Sequence, residues 1–186
     1  MREDKNMNGK DLKKYCDHAL KKGITGVKII RPSSVVTAPW VGLKCKFGCG
    51  GYGYNHCCPP HSLTSEETRK IIDSYKRAIL FHIEAFHSPD REKRLRKHRQ
   101  VLREMEGNMF KDGYYKAFVF LIGPCDLCGE CAILSDSPCI NRDSARPSME
   151  SCGIDVFQTA RNNGFTINTL SEVTESRNDF CLMLVD

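Results

Sequence analysis

The sequence predicts an α/β or α+β fold, in which a mixed β-sheet is flanked by helices and two cysteine-rich loops join the elements. Short runs rich in β-branched and aromatic residues are typical of buried strands, and they lie at residues 78–86, 114–122 and 180–185. Segments with apolar residues at helical spacing lie between these runs. The chain shows no internal repeat and no linker, so we expect one domain over residues 1–186.

The first half of the chain predicts two helices and a strand. Apolar residues recur at helical spacing in residues 11–22, and Gly23 is a suitable end for that helix. Residues 26–30 are typical of a strand, and Pro32 breaks it. Thr64 stands three residues before Glu67, which is the pattern of a capping box, so a second helix is expected to begin there.

The second half predicts a long helix that opens at residues 88–90 and ends near residue 112. Its inward stripe is Leu95, His98, Leu102, Met105 and Met109, which places the basic run 91–99 on a solvated face; a docking surface is the alternative. A third main helix is expected from residue 148 to residue 164. Strands are expected at residues 165–170 and 180–185.

Composition narrows the class of protein. Residues 1–5 are charged and no long apolar stretch follows, so we expect a cytoplasmic protein without a membrane span. Eleven cysteines in such a chain favour metal ligands or free thiols over disulfides, because the cytosol keeps thiols reduced. The formal net charge of +5 is modest and does not favour a nucleic-acid partner.

The second cysteine loop, residues 123–147, carries the strongest chemical signal. Cys125, Cys128 and Cys131 form a C-x2-C-x2-C run, and Cys139 supplies a fourth thiol. Thiolates at every third residue of a short loop suit a [4Fe-4S] cluster. Zinc is the alternative, but zinc sites usually take two separate C-x2-C knuckles. The match to a ferredoxin run is partial, because Cys139 lies eight residues after Cys131 and no proline follows it.

The first cysteine loop, residues 45–60, predicts a second site. Cys45 and Cys49 lie before a glycine-rich stretch, and the adjacent Cys57 and Cys58 lie after it. Adjacent cysteines seldom face one cluster, so Cys58 is the better candidate and Cys57 is either a cofactor contact or a small packed hydrophobe.

Other residues near the loops have two interpretations. His56 and His61 are unusual ligands or, more often, surface residues. Cations beside the ligands would offset the charge of a thiolate-bound cluster or would simply solubilise the loops; they are Lys44, Lys46, Arg142 and Arg146. Buried inert thiols are expected at Cys16, Cys152 and Cys181.

With both loops in hand, the chain resembles a cysteine-rich family of predicted metal-binding proteins, domain of unknown function 2284, found largely in anaerobic bacteria and archaea. The family pattern K-C-x3-C-x2-Y, C-P-P, G-P-C-x2-C-x2-C and R-P-S-M-E-x2-G-I-D-V is similar to residues 44–52, 58–60, 123–131 and 146–156. The resemblance implies metal binding by Cys45, Cys49, Cys58, Cys125, Cys128, Cys131 and Cys139 and carries no established reaction. The segment from Arg146 to Glu150 is expected to pack the second loop onto its helix, with Ser148 as the cap; a substrate-binding role for Arg146 is the alternative.

The predicted function is therefore electron transfer through one or two [4Fe-4S] clusters, with a redox partner protein. A metal-stabilised accessory protein for a larger metalloenzyme is the alternative, with zinc in place of iron and sulfide. No dinucleotide, P-loop or H-E-x2-H motif is present, which argues against an independent catalytic apparatus. A cubane held by only three thiolates would nevertheless leave one iron for a substrate, so an enzymatic function is a third hypothesis.

Overall fold

The computed structural model describes residues 9–172 and 174–186, so the charged segment at residues 1–5 lies outside the described residues. Its helices are α1 (Lys13–Lys21), α2 (Pro39–Gly48), α3 (Ser65–Ile72), α4 (Arg91–Lys111) and α5 (Val156–Asn162). Its strands are β1 (Gly26–Ile30), β2 (Ala78–Ala85), β3 (Phe118–Phe120) and β4 (Arg177–Leu184). Short 3-10 turns cover Pro32–Ser34, Ala132–Ser135 and Glu150–Cys152.

The four strands form one sheet in the order β1-β2-β4-β3. The predicted class, a sheet flanked by helices, is confirmed. Each of the three strand pairs is antiparallel, where the sequence predicted a mixed sheet. The reason is the connection from β2 through α4, which places β3 beyond β4 rather than beside β2.

Both faces of the sheet are buried, and β2 explains why. Its odd-numbered residues, such as Ile79 and Phe81, face the core cluster that contains the apolar sides of α1 and α4. Its even-numbered Leu80 faces the opposite cluster, together with Ile72 of α3 and Ala160 of α5. A strand covered on both sides is apolar in nearly every position, which is why its sequence predicted a buried strand.

Two helix predictions are confirmed in detail. The backbone N–H of Glu67 donates to Thr64 Oγ1 at 3.2 Å, and the Thr64 N–H donates to Glu67 Oε2 at 2.8 Å, so the capping box begins α3. Helix α4 ends at Lys111, beside the predicted residue 112. No described helix has the length and apolarity needed to cross a bilayer.

Three predictions about the bounds of individual elements were also wrong. The first cysteine loop was expected from residue 45, but Cys45 lies inside α2. The third main helix is divided, because Gly153 adopts φ +73 and ends the 3-10 turn before α5 begins. Residues 165–170 form no strand; Phe165 instead packs its ring 5.4 Å from that of Phe180.

Candidate metal centre

Eight cysteine thiols line two cavities. Cys57, Cys125, Cys128, Cys131 and Cys139 line a cavity of about 210 Å³, called here the five-thiol cavity. Cys45, Cys49 and Cys58 line a cavity of about 550 Å³, called here the three-thiol cavity. The adjacent Cys57 and Cys58 therefore contribute to different cavities, and one peptide bond joins the two sites.

The second loop forms most of the five-thiol cavity. After the 3-10 turn Ala132–Ser135, Asp136 takes a left-handed conformation with φ 51, which reverses the chain on the way to Cys139. The side-chain amide of Asn141 donates to Cys128 Sγ at 3.1 Å. A hydrogen bond to a thiolate is the kind of contact that tunes a metal ligand.

The first cysteine segment is attached to the second by hydrogen bonds. Asn55 accepts from the Cys57 N–H at 2.8 Å and donates to the Cys125 carbonyl at 3.2 Å. His56 Nε2 lies 2.9 Å from the Ser137 carbonyl oxygen, so this ring bridges the loops. His61 is exposed and lines neither cavity.

The thiols of Cys57 and Cys125 interact directly. A hydrogen bond from the Cys57 thiol lowers the pKa of Cys125 against the effect of burial, and the Leu127 N–H and then the charge of Arg103 lower it further. The same hydrogen bond, together with burial, raises the pKa of Cys57. The pair therefore favours a thiolate at Cys125 and a protonated donor at Cys57.

A buried ion pair attaches the second loop to α4. Asp126 accepts from Arg99 Nη1 at 2.6 Å and from Arg103 Nη2 at 2.7 Å. Arg99 also donates to the Ile122 carbonyl at 3.0 Å, and its side chain is 4% exposed. Burial raises the pKa of Asp126, but the two guanidinium groups outweigh it and hold that pKa below its usual value.

Sequence reasoning missed this contact, because it placed the basic run on a solvated face. Arg99 and Arg103 are four residues apart and therefore share one side of α4. An acid inside C-D-L-C, flanked by thiols, needs a cationic partner when it is buried. The spacing of the two arginines and the acid between two cysteines would together have indicated this ion pair.

A second ion pair holds the end of the loop. Arg146 Nε donates to Glu106 Oε2 of α4 at 2.9 Å, and Glu106 Oε2 also accepts from the Val119 N–H of β3 at 2.8 Å. Ser148 Oγ accepts from the Ser151 N–H at 3.0 Å. The expected helix cap at Ser148 was wrong, because α5 begins later and Asp155 caps it by accepting from the Gln158 N–H at 2.9 Å. Arg146 thus attaches the loop to the helix and the sheet.

The three-thiol cavity is built around the end of α2. The Cys49 N–H donates to the Cys45 carbonyl at 3.3 Å, and the Gly51 N–H contacts Cys49 Sγ at 3.4 Å. Burial, and then the charges of the neighbouring thiols, raises the pKa of Cys58 to about 11. Burial likewise raises the pKa of Cys45.

The other predicted residues take several positions. Lys44 lines the three-thiol cavity, whereas Lys46 and Arg142 are exposed. Cys152 and Cys181 are fully buried in the core, as predicted, and Cys16 packs half-buried against it.

The thiols of each set stand around a cavity rather than meeting at a point. Within residues 9–172 and 174–186, no three His, Cys, Asp or Glu side chains are grouped to hold a single metal ion. The space between the five thiols equals the volume of several water molecules, at about 30 Å³ for each water. The donor set and this volume fit a polynuclear, thiolate-bound group.

An antiparallel sheet flanked by helices, with thiol-lined cavities beside it, defines a cysteine-rich α+β protein with the donor atoms of a metal-binding protein. The chain belongs to the DUF2284 family, described as predicted metal-binding protein, whose model matches residues 28–185. The resemblance noted in the sequence is thus confirmed. Searches of the curated proteins and of the solved structures gave no significant match.

Proposed function

We propose that the protein binds two [4Fe-4S] clusters, one in each thiol-lined cavity, and uses them as an electron-transfer or redox subunit. The observation that carries this proposal is the five-thiol cavity. A zinc ion takes four ligands at about 2.0–2.3 Å and leaves no empty volume among them. Five thiols around about 210 Å³ favour a larger inorganic group.

In this proposal Cys125, Cys128, Cys131 and Cys139 hold the cluster, and Cys57 contacts it from outside. The Cys57 thiol donates to Cys125, and hydrogen bonds to ligating sulfurs raise the reduction potential of a cluster. Arg103 and Arg146 lie near these thiols and add positive charge, which favours the reduced state in the same way.

The adjacent cysteines support electron transfer between the sites. Cys57 lines one cavity and Cys58 the other, and consecutive Cα atoms lie only about 3.8 Å apart. Exposed apolar side chains near the loops would suit a transient redox partner, since Phe47 is 78% exposed and Ile140 is 79% exposed. We therefore place the partner over the cysteine segments.

Variants of the two adjacent cysteines test the proposal. Oxygen-free purification of the wild-type chain should give about eight irons and eight sulfides per chain. Cys58→Ala should remove about half of both, because only two thiols remain in its cavity, whereas Cys57→Ala should retain the full content and lower one reduction potential. Cys16→Ala, outside both cavities, is the control. Zinc without sulfide in the wild-type protein would refute the proposal.

The alternative function is a metal-stabilised accessory protein for a larger metalloenzyme. The exposed part of the basic run favours it, because Lys93 and Lys97 remain at the surface of α4, whereas Arg96 lies 3.6 Å from Asp126 and Arg94 donates to Ser88. Replacing Lys93 and Lys97 by glutamine should then weaken binding to the metalloenzyme while leaving metal content unchanged. Electron exchange by the same variant with a redox partner would instead support the first function.

A further inference from the structure

We propose that the three-thiol cavity also binds a small aromatic or heterocyclic molecule, which ligates the cluster iron that lacks a thiolate and hydrogen-bonds to Glu150. This inference rests on the proposed function, since it needs a cluster at Cys45, Cys49 and Cys58. It goes beyond that function by assigning a ligand site and a ligand chemistry.

The number of available ligands is the first argument. A cubane has four irons, and the thiols on this cavity are three. Two of the carboxylates on the wall are already engaged: Asp155 accepts from the Gln158 N–H at 2.9 Å, and Asp179 accepts from Arg177 at 3.1 Å. The remaining carboxylate, Glu150, faces the external molecule in this proposal, which leaves the fourth iron for that molecule.

The volume is the second argument. At about 550 Å³, the three-thiol cavity is more than twice the size of the five-thiol cavity. A cluster of the size that the smaller cavity accommodates would leave more than half of the larger one free. The whole space falls in the range of small-molecule sites, about 300–1,000 Å³.

Glu150 is the third argument. Its side chain lines the cavity, and its Oε2 atom is buried with no hydrogen-bond partner among the described residues. Ser148 lies within reach of the carboxyl group but leaves that oxygen unpaired. A buried carboxyl oxygen without a partner is costly, so a ligand with an N–H or O–H group would satisfy it.

The walls define the rest of the ligand. Trp40, Tyr52, Phe157 and Phe180 give the cavity aromatic surfaces, which suit a flat apolar ring. A metal-bound imidazole usually donates its second ring N–H to a carboxylate or carbonyl. Imidazole therefore combines the three required features, a ligating nitrogen, a flat ring and an N–H donor.

The experiment titrates imidazole into the anaerobically purified, dithionite-reduced chain and follows its EPR spectrum. 1-Methylimidazole is the control ligand, because it keeps the ligating nitrogen and lacks the N–H. We expect imidazole to shift the signal of one cluster and to bind about tenfold more tightly than 1-methylimidazole, the effect of one hydrogen bond to a carboxylate. The shifted signal should be absent from Cys58→Ala.

Two variants of Glu150 test its role. Glu150→Met should retain its iron and lose the preference for imidazole, because Met has similar length and accepts no strong hydrogen bond. Glu150→Gln should also retain its iron and keep part of the preference, since its amide oxygen still accepts. Far-UV circular dichroism and iron content establish that both variants are folded and loaded.

The outcomes separate this inference from the proposed function. A protein without sulfide refutes both. A protein with two clusters and no response to imidazole refutes the ligand site alone. A response that persists in Cys58→Ala places the ligand at the other cluster, and loss of iron in Glu150→Gln makes Glu150 itself a cluster ligand; either result overturns the inference.

Discussion

Replacement of Asp126 by alanine is expected to destabilise the protein by about 3 kcal/mol, because breaking a buried ion pair leaves an unpaired charge in the interior. The partners are Arg99, whose side chain is 4% exposed, and Arg103, which is 14% exposed. The value lies at the lower end of the usual range of about 3–5 kcal/mol, since Arg99 keeps Glu92 and the Ile122 carbonyl as partners.

Thermal unfolding of the loaded protein, followed by circular dichroism without oxygen, measures this effect. For a chain of this length we expect Tm to fall by about 6–12 °C. Glu92→Ala is the matched control at the exposed end of the same network, where the side chain is 62% exposed, and it should change the free energy of unfolding by less than about 1 kcal/mol.

Asp126→Asn distinguishes charge from packing. The amide keeps an acceptor of nearly the same shape, so about half of the stability should return. Because Asp126 lies between Cys125 and Leu127, the proposed function also predicts that the alanine variant loses its metal more readily on exposure to a chelator. Equal, small effects of Asp126→Ala and Glu92→Ala would refute the reasoning.

Three further predictions concern the rest of the fold. Gly153→Ala should cost about 2–3 kcal/mol in a urea titration, because φ is +73 and the new Cβ would lie 2.9 Å from Ser65 Cα, whereas Gly107→Ala in α4, with open space around it, should be stabilising by up to about 1 kcal/mol. Glu106→Gln should lower the free energy of unfolding by about 2 kcal/mol, since it weakens a buried ion pair that also supports β3; no change in the same titration would contradict this. Burial, and then nearby cations, lowers the pKa of His98, so the unfolded chain takes up a proton first and stability should fall as the pH drops below about 6.5, a dependence that His98→Gln should reduce.

The elements that the sequence predicted well are those with local signals. The capping box at Thr64 and Glu67 needs only four consecutive residues, and the apolar run of β2 marks a strand buried on both faces. The long helix α4 was recognisable from its apolar stripe, of which Leu95, Leu102 and Met105 are buried. Local chemistry and tertiary packing agree in these segments.

The elements that were missed depend on contacts far along the chain. Helix α2 carries apolar residues on more than one side, since Val41 is buried whereas Trp40, Leu43 and Phe47 are 48–78% exposed, so no single apolar stripe marked it in the sequence. Phe165 begins a segment that was predicted to be a strand. Its ring packs against that of Phe180, but its backbone pairs with no strand. The spacing of apolar residues alone does not distinguish a strand from an irregular segment whose side chains are buried.

The sequence identified which cysteines belong to the candidate site, but it did not predict how they are divided between the two cavities. Spacing identified the cysteines of both segments, and the structure brings Cys57 to the thiols of the second loop. Which cavity each of two adjacent thiols enters depends on the path of the surrounding chain, which turns here, since the Cys58 N–H donates to the Asn55 carbonyl at 3.0 Å. Sequence spacing alone carries no information about that path.

One peptide bond joins Cys57 and Cys58, so the linings of the two cavities are covalently connected. A peptide unit is planar and resists twisting, so a displacement of either sulfur-bearing residue moves its neighbour. A shift of the backbone at this peptide therefore reaches the lining of both cavities. The two cavities therefore share one stretch of backbone, while each is lined by its own set of thiols.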